Sequence, residues 1–128
     1  MSKIVVFVDD SKTVLLTAQI ALKPLVEKGG IEFKSYENPL ELLEDVENGF
    51  SYDLVITDVN MPQMNGLDMA KELKGNPALK SKPILALTTE NAPEQKARAK
   101  EIGLAGWVTK PFSPEKLLMG IKRVLRLR

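Results

Sequence analysis

Apolar residues along the chain follow two alternating periods. Runs rich in β-branched residues and free of polar alternation recur at Ile4–Val8 (IVVFV), Leu54–Thr57 (LVIT), Ile84–Leu87 (ILAL) and Gly106–Thr109 (GWVT). Such runs suit parallel strands covered on both faces. A weaker, alternating stretch, Glu32–Tyr36 (EFKSY), reads as an edge strand. Between the runs the period lengthens to that of a helix. Val14, Leu15, Ala18, Ala21, Leu22 and Leu25 form one stripe, and Leu117, Leu118, Ile121, Val124 and Leu125 form another. Ser11, Asn38 and Ser113 stand where helix caps are needed, the last two followed by a proline suited to the first helical position. Leu67–Lys74 and Pro93–Ile102 complete the helices, with Gly103 closing the latter. Pro24 conflicts with the first stripe. Inside a helix it removes a backbone bond at a cost of about 3 kcal/mol, so a kink or an early end is expected there.

A β-α unit repeated five times implies a parallel sheet with right-handed crossovers and helices on both faces. With 128 residues the chain reads as one domain, residues 1–128, able to bury roughly two-thirds of its unfolded surface. There is no low-complexity tract, linker or solenoid repeat, and no separate output domain is expected. The sequence contains neither cysteine nor histidine, which excludes disulfides, thiolate or imidazole metal sites, and a nucleophile activated by the chain's own histidine. A metal must be held by oxygen. Eighteen Lys and Arg against 17 Asp and Glu leave a formal charge of +1, giving no general case for nucleic acid or an acidic membrane. The first apolar run is too short for a signal-peptide core or a membrane span, and a cytoplasmic protein is expected.

Four strand ends carry chemistry: Asp9 and Asp10 after the first, Asp58 after the third, Thr88 and Thr89 after the fourth, and Lys110 after the fifth. In an open parallel sheet these ends share one edge, where ligands bind. Singly, each has a plain reading: the aspartate pair as a helix cap, Asp58 as a turn residue ahead of MPQMNG, Thr88 and Lys110 as surface groups. Together they place complementary groups in one pocket. Two carboxylates about 4 Å apart at an effective dielectric near 20 repel by roughly 4 kcal/mol, and Lys110 offsets only part of that. A hard divalent cation such as Mg²⁺ relieves the rest and keeps positions for phosphate oxygens. A carboxylate beside Mg²⁺, with an ammonium and a hydroxyl at hand, suits phosphoryl transfer to Asp58.

The blocks VDDS (Val8–Ser11), DVNMPQMNG (Asp58–Gly66), ALTTE (Ala86–Glu90) and GWVTKPFS (Gly106–Ser113) resemble the receiver domain of two-component response regulators, most closely the stand-alone chemotaxis regulators of the CheY type. The resemblance covers essentially the whole chain. It implies the flavodoxin-like, doubly wound three-layer sandwich with strand order 2-1-3-4-5. It further implies Asp58 as phosphoacceptor for a histidine kinase, and Mg²⁺ on Asp10, Asp58 and the backbone carbonyl of Asn60, with Asp9 supporting. Lys110 would pair with the phosphoryl group and precede a cis proline. Thr88 and Trp107 would form the switch, read by a protein partner on the face of the fourth helix, fifth strand and fifth helix. Asn60 and Glu90 would tune loss of the phosphoryl group. Met61 and Met64 read as packing.

Asn65 stands where the chemotaxis pattern often has aspartate, a change expected to affect only the turn. On the output face, Pro93, Lys96, Lys100, Gly120 and Arg123 depart from the enteric motor-binding set, so the resemblance does not transfer the partner. Lys96, Arg98, Lys100, Lys122, Arg123, Arg126 and Arg128 suit an acidic partner or a solvated face equally. Rival readings are a phosphorelay intermediate that passes its group to a phosphotransfer protein, and a docking module indifferent to phosphate. A turnover enzyme is not expected, because an aspartyl phosphatase wants a second aspartate where Asn60 stands.

Overall fold

The computed structural model describes residues 2–89 and 92–127. Ten elements alternate: β1 (Lys3–Val8), α1 (Lys12–Glu27), β2 (Ile31–Tyr36), α2 (Pro39–Glu47), β3 (Leu54–Asp58), α3 (Gly66–Lys74), β4 (Ile84–Thr89), α4 (Pro93–Ile102), β5 (Gly106–Lys110) and α5 (Pro114–Leu125). All strands are parallel, in the order β2-β1-β3-β4-β5. This is the doubly wound architecture that the strand and helix periods and the resemblance imply.

Alternation along each strand divides the core. Val5, Phe7, Leu54, Ile56, Leu85 and Leu87 meet the α1 stripe (Leu15, Ala18, Leu22, Leu25) and Leu117 and Ile121 of α5. On the opposite face Val6, Val8 and Val55 meet Leu42 of α2 and Met69, Ala70 and Leu73 of α3. Each large side chain so buried contributes about 1.5–3 kcal/mol. Unbroken apolar runs are therefore required in the central strands, because both of their faces are covered.

The caps are where the residue types placed them. Ser11 accepts from the Val14 N–H, Asn38 from Leu40 and Ser113 from Lys116, and Gly103 closes α4 at φ 90°. Asn65 does more than shape a turn: it is the N-cap of α3, accepting from the Leu67 N–H, so the helix starts at Gly66. Pro24 neither stops nor shortens α1, which runs on to Glu27. It sits in the last helical turn on the exposed side, so the Ile20 carbonyl that loses its donor lies on a solvent-facing turn where water can replace the bond.

The fifth run departs from expectation. GWVT was expected to be covered on both faces, yet β5 is an edge strand with no fully buried residue, and Trp107 is 42% exposed. Its lack of alternation reflects a strand packed on α5 but open along its outer edge. Helix α4 is likewise lightly anchored, with Ala99 its one fully buried residue among those described. Polar ties supplement that contact: Arg98 pairs with Asp68 of α3, and Lys96 lies over the Trp107 ring at 5.8 Å. Among the described residues, no helix is long and apolar enough to cross a membrane.

Candidate functional site

The carboxyl ends of β1, β3 and β5 bring their charged residues together. Asp9 is fully buried, Asp10 is exposed and Asp58 lies between. One carboxylate oxygen from each falls within 4.8 Å of the others. Asp9 Oδ1 accepts the Ser11 N–H at 2.9 Å, so it shapes the turn into α1 as well as facing the pocket. Lys110 Nζ stands 2.8 Å from Asp9 Oδ2 and 3.2 Å from Asp58 Oδ1. Among the described residues the buried Asp9 Oδ2 thus has Lys110 as its partner, in an ion pair.

These neighbours set the charge states. Burial pushes the Asp58 carboxyl above its usual range, Asp9's negative charge pushes it further, and Lys110 and the Val59 N–H offset only part of this. For Lys110, burial opposes the charged form, but the contacts with Asp9 and Asp58 outweigh it and raise the ammonium's pKa. One ammonium thus serves two carboxylates, and a third borders the same space. Three converging carboxylates served by one ammonium, with an exposed entrance at Asp10, fit a small, hard cation with oxygen ligands.

The other expected residues divide. Thr88 lies one step beyond Leu87, the β4 partner of Asp58. It is 1% exposed, and its hydroxyl has no hydrogen-bond partner among the described residues. Trp107 is away from the cluster, turned outward beneath Lys96. The Asn60 side chain is exposed. The role expected of Glu90 falls outside the described residues. Met61 is buried in the core and Met64 packs against it, as expected. The Lys110–Pro111 bond is cis. The basic set is not one free patch, since Arg98 is engaged by Asp68 and Arg128 lies outside the described residues. Between β5 and α5 runs a groove of about 450 Å³, whose lining includes Trp107, Lys110, Lys116, Met119, Gly120 and Arg123 and no carboxylate.

Two residues that the sequence did not single out complete the site. The Thr57 hydroxyl, fully buried, donates to the Asp58 main-chain carbonyl at 2.9 Å. Gly66 passes so close to β3 that a Cβ there would lie 1.8 Å from the same carbonyl oxygen. The available signals were a hydroxyl in an otherwise apolar run and a glycine at a helix start.

Comparison with known proteins places this arrangement. The model of the response regulator receiver domain matches residues 5–122. The chain belongs to this family. Among relatives of the receiver, the chemotaxis protein CheY1 of Helicobacter pylori is 32% identical over 118 residues, which span 92% of this chain and 93% of that one. The sensor histidine kinase CheAY of the same organism is 34% identical over 125 residues, 97% of this chain but 15% of that protein. The solved structure of chemotaxis response regulator CheY4 of Vibrio cholerae superposes with a TM-score of 0.86 at 35% identity, covering 97% of this chain and 99% of that one. Receiver domains are signalling modules that work with histidine kinases and output partners, and this receiver has the five-stranded parallel fold of its CheY-type neighbours together with an acidic cluster that could bind a metal.

Proposed function

We propose that this receiver is a phosphorylation-operated switch that accepts a phosphoryl group from a histidine kinase onto Asp58, within a chemotaxis or similar pathway. The observation that carries the reading is the meeting of Asp9, Asp10 and Asp58 with the Lys110 ammonium, beside a Thr88 hydroxyl that has no hydrogen-bond partner among the described residues. A carboxylate oxygen of Asp58 forms the new P–O bond while the donor's P–N bond breaks, and the electron pair returns to the donor's imidazole. Asp10, Asp58 and the main-chain carbonyl of Asn60, supported by Asp9, would hold Mg²⁺, which when bound neutralises the carboxylates and the charge on the transferring group.

Lys110 is already within reach of both carboxylates and takes up a phosphoryl oxygen as Asp58 is modified. Thr88 supplies the second donor. Its hydroxyl has no hydrogen-bond partner to give up among the described residues on turning to the phosphoryl group. That movement opens space beneath β5, and Trp107 turns inward to fill it, which alters the face of α4, β5 and α5 where the output partner docks.

The test is intact mass after incubation with a small acyl-phosphate donor, with and without Mg²⁺, alongside Asp58→Asn. The expected gain of one phosphoryl group requires both Asp58 and Mg²⁺, and Trp107 fluorescence changes with it. Lys110→Ala should permit some modification but leave the tryptophan signal unchanged. No gain in wild type, or equal gain in Asp58→Asn, refutes the assignment.

A further inference from the structure

We propose that Thr57 is a positioning residue for the reaction at Asp58, acting through the single peptide unit that joins Asp58 to Val59. The inference rests on the phosphoacceptor reading above. Thr57 ends the apolar run of β3 and is as inaccessible as the valine, isoleucine and leucine beside it. A valine would fill the same volume without a hydroxyl to desolvate, so the hydroxyl must find a partner. That partner is the Asp58 carbonyl, at 2.9 Å.

The other end of the same peptide unit holds the reactive group. The Val59 N–H donates to Asp58 Oδ1 at 2.9 Å. Because a peptide unit is planar and rigid, its C=O and N–H turn together. Fixing the carbonyl with Thr57 therefore fixes the N–H that orients the carboxylate. The next unit is pinned as well, since the Gly66 N–H donates to the Val59 carbonyl at 2.7 Å. Together these bonds set the direction of the Asp58 carboxylate and of the chain leading to the Asn60 carbonyl. Lys110 cannot do this alone, because it also serves Asp9.

Without the hydroxyl, the peptide unit gains freedom to rock and the carboxylate rocks with it. Misplacement of a reacting group by about 1 Å lowers a rate by up to about 10²-fold, and a partial loss of order here is expected to cost about tenfold. The test compares wild type, Thr57→Val and Thr57→Ser. Intact-mass time courses over a range of acyl-phosphate concentrations, at saturating Mg²⁺, give the modification rate, and calorimetric titration with Mg²⁺ alone gives metal affinity. Thr57→Val should slow modification about tenfold at every donor concentration and weaken Mg²⁺ binding, while Thr57→Ser restores both. Wild-type rates and affinity in Thr57→Val overturn the proposal. Equal losses in both variants, in step with a lowered melting temperature, also overturn it, because they report packing alone. An unmodified wild type overturns the phosphoacceptor reading instead. Mg²⁺ affinity then decides for Thr57: weaker binding by Thr57→Val supports positioning of the carboxylate, and unchanged binding refutes it.

Discussion

Replacing Gly66 with alanine sets two effects of opposite sign against each other. Gly66 opens α3, where alanine is normally favoured by about 0.5–1 kcal/mol because it loses less backbone freedom on folding. Against this, the new Cβ would lie 1.8 Å from the Asp58 carbonyl oxygen and 3.0 Å from the Thr57 hydroxyl. The obstacle is main chain and cannot swing aside. Restoring even a tight contact, one of 3.0 Å, needs a shift of 3.0 − 1.8 = 1.2 Å between α3 and β3. Such a shift breaks the 2.7 Å bond from the Gly66 N–H to Val59 and strains the Thr57–Asp58 bond. Losing one or two such bonds and leaving a buried carbonyl unmet costs about 2–4 kcal/mol, which outweighs the helical gain. A net loss of about 1–3 kcal/mol is expected, several degrees in melting temperature for a domain of this size. Gly120, inside α5, provides the control. A Cβ there would meet Val108 Cγ2 at 3.9 Å, an ordinary contact, so Gly120→Ala should stabilise by up to about 1 kcal/mol. Urea denaturation followed by circular dichroism measures both. A Gly66→Ala protein as stable as its parent, or a common sign for the two variants, would show that the close approach at β3 does not govern this turn.

Asp58→Asn should raise melting temperature at neutral pH in metal-free buffer, since the native fold disfavours the charged form. Because the folded carboxyl lies above its unfolded value, this gain should shrink as pH falls through the folded value toward the ordinary carboxylate range; a pH-independent gain would refute the electrostatic cause. Both tyrosines should resist ionisation near pH 10 in ultraviolet titration. Burial pushes Tyr52 up to about 12, and burial together with Asp45 and Glu41 pushes Tyr36 higher still. The stability contributed by the neutral Tyr36 hydroxyl, which donates to Asp45, is complete below pH 10 and is lost as pH rises through its folded value, so Tyr36→Phe should flatten the alkaline limb of stability against pH. Tyr52→Phe should stabilise by about 1 kcal/mol in chemical denaturation, because the Tyr52 hydroxyl is buried without a hydrogen-bond partner among the described residues. A destabilised Tyr52→Phe would show that this hydroxyl is satisfied in solution.

The central strands and the helix caps were legible in the sequence because their causes are local. A covered strand must be apolar throughout, and a cap needs an oxygen within three residues of the N–H it accepts. That Pro24 does not end α1 early was not legible, because its cost depends on the face of the helix to which it falls, which emerges only once the helix is packed. The open edge at β5 was hidden for a similar reason: a run of five residues does not record what lies beside it. The carboxylates and Lys110 were legible through their repetition at strand ends. Thr57 and Gly66 were not, since a hydroxyl's partner and the space denied to a Cβ are relations between segments.

The manner in which α4 is attached bears on how such a protein diversifies. Among the described residues its ties include the small buried Ala99, the half-buried Ile102, a guanidinium–carboxylate pair and a cation over a ring. Its outward positions are accordingly of the kind where exchanges cost within about 0.5 kcal/mol. Descendants of this chain can rewrite that surface to suit a new listener while the acidic edge and the sheet beneath it stay as they are, so the receiving half of the molecule and its speaking half are free to evolve at different rates.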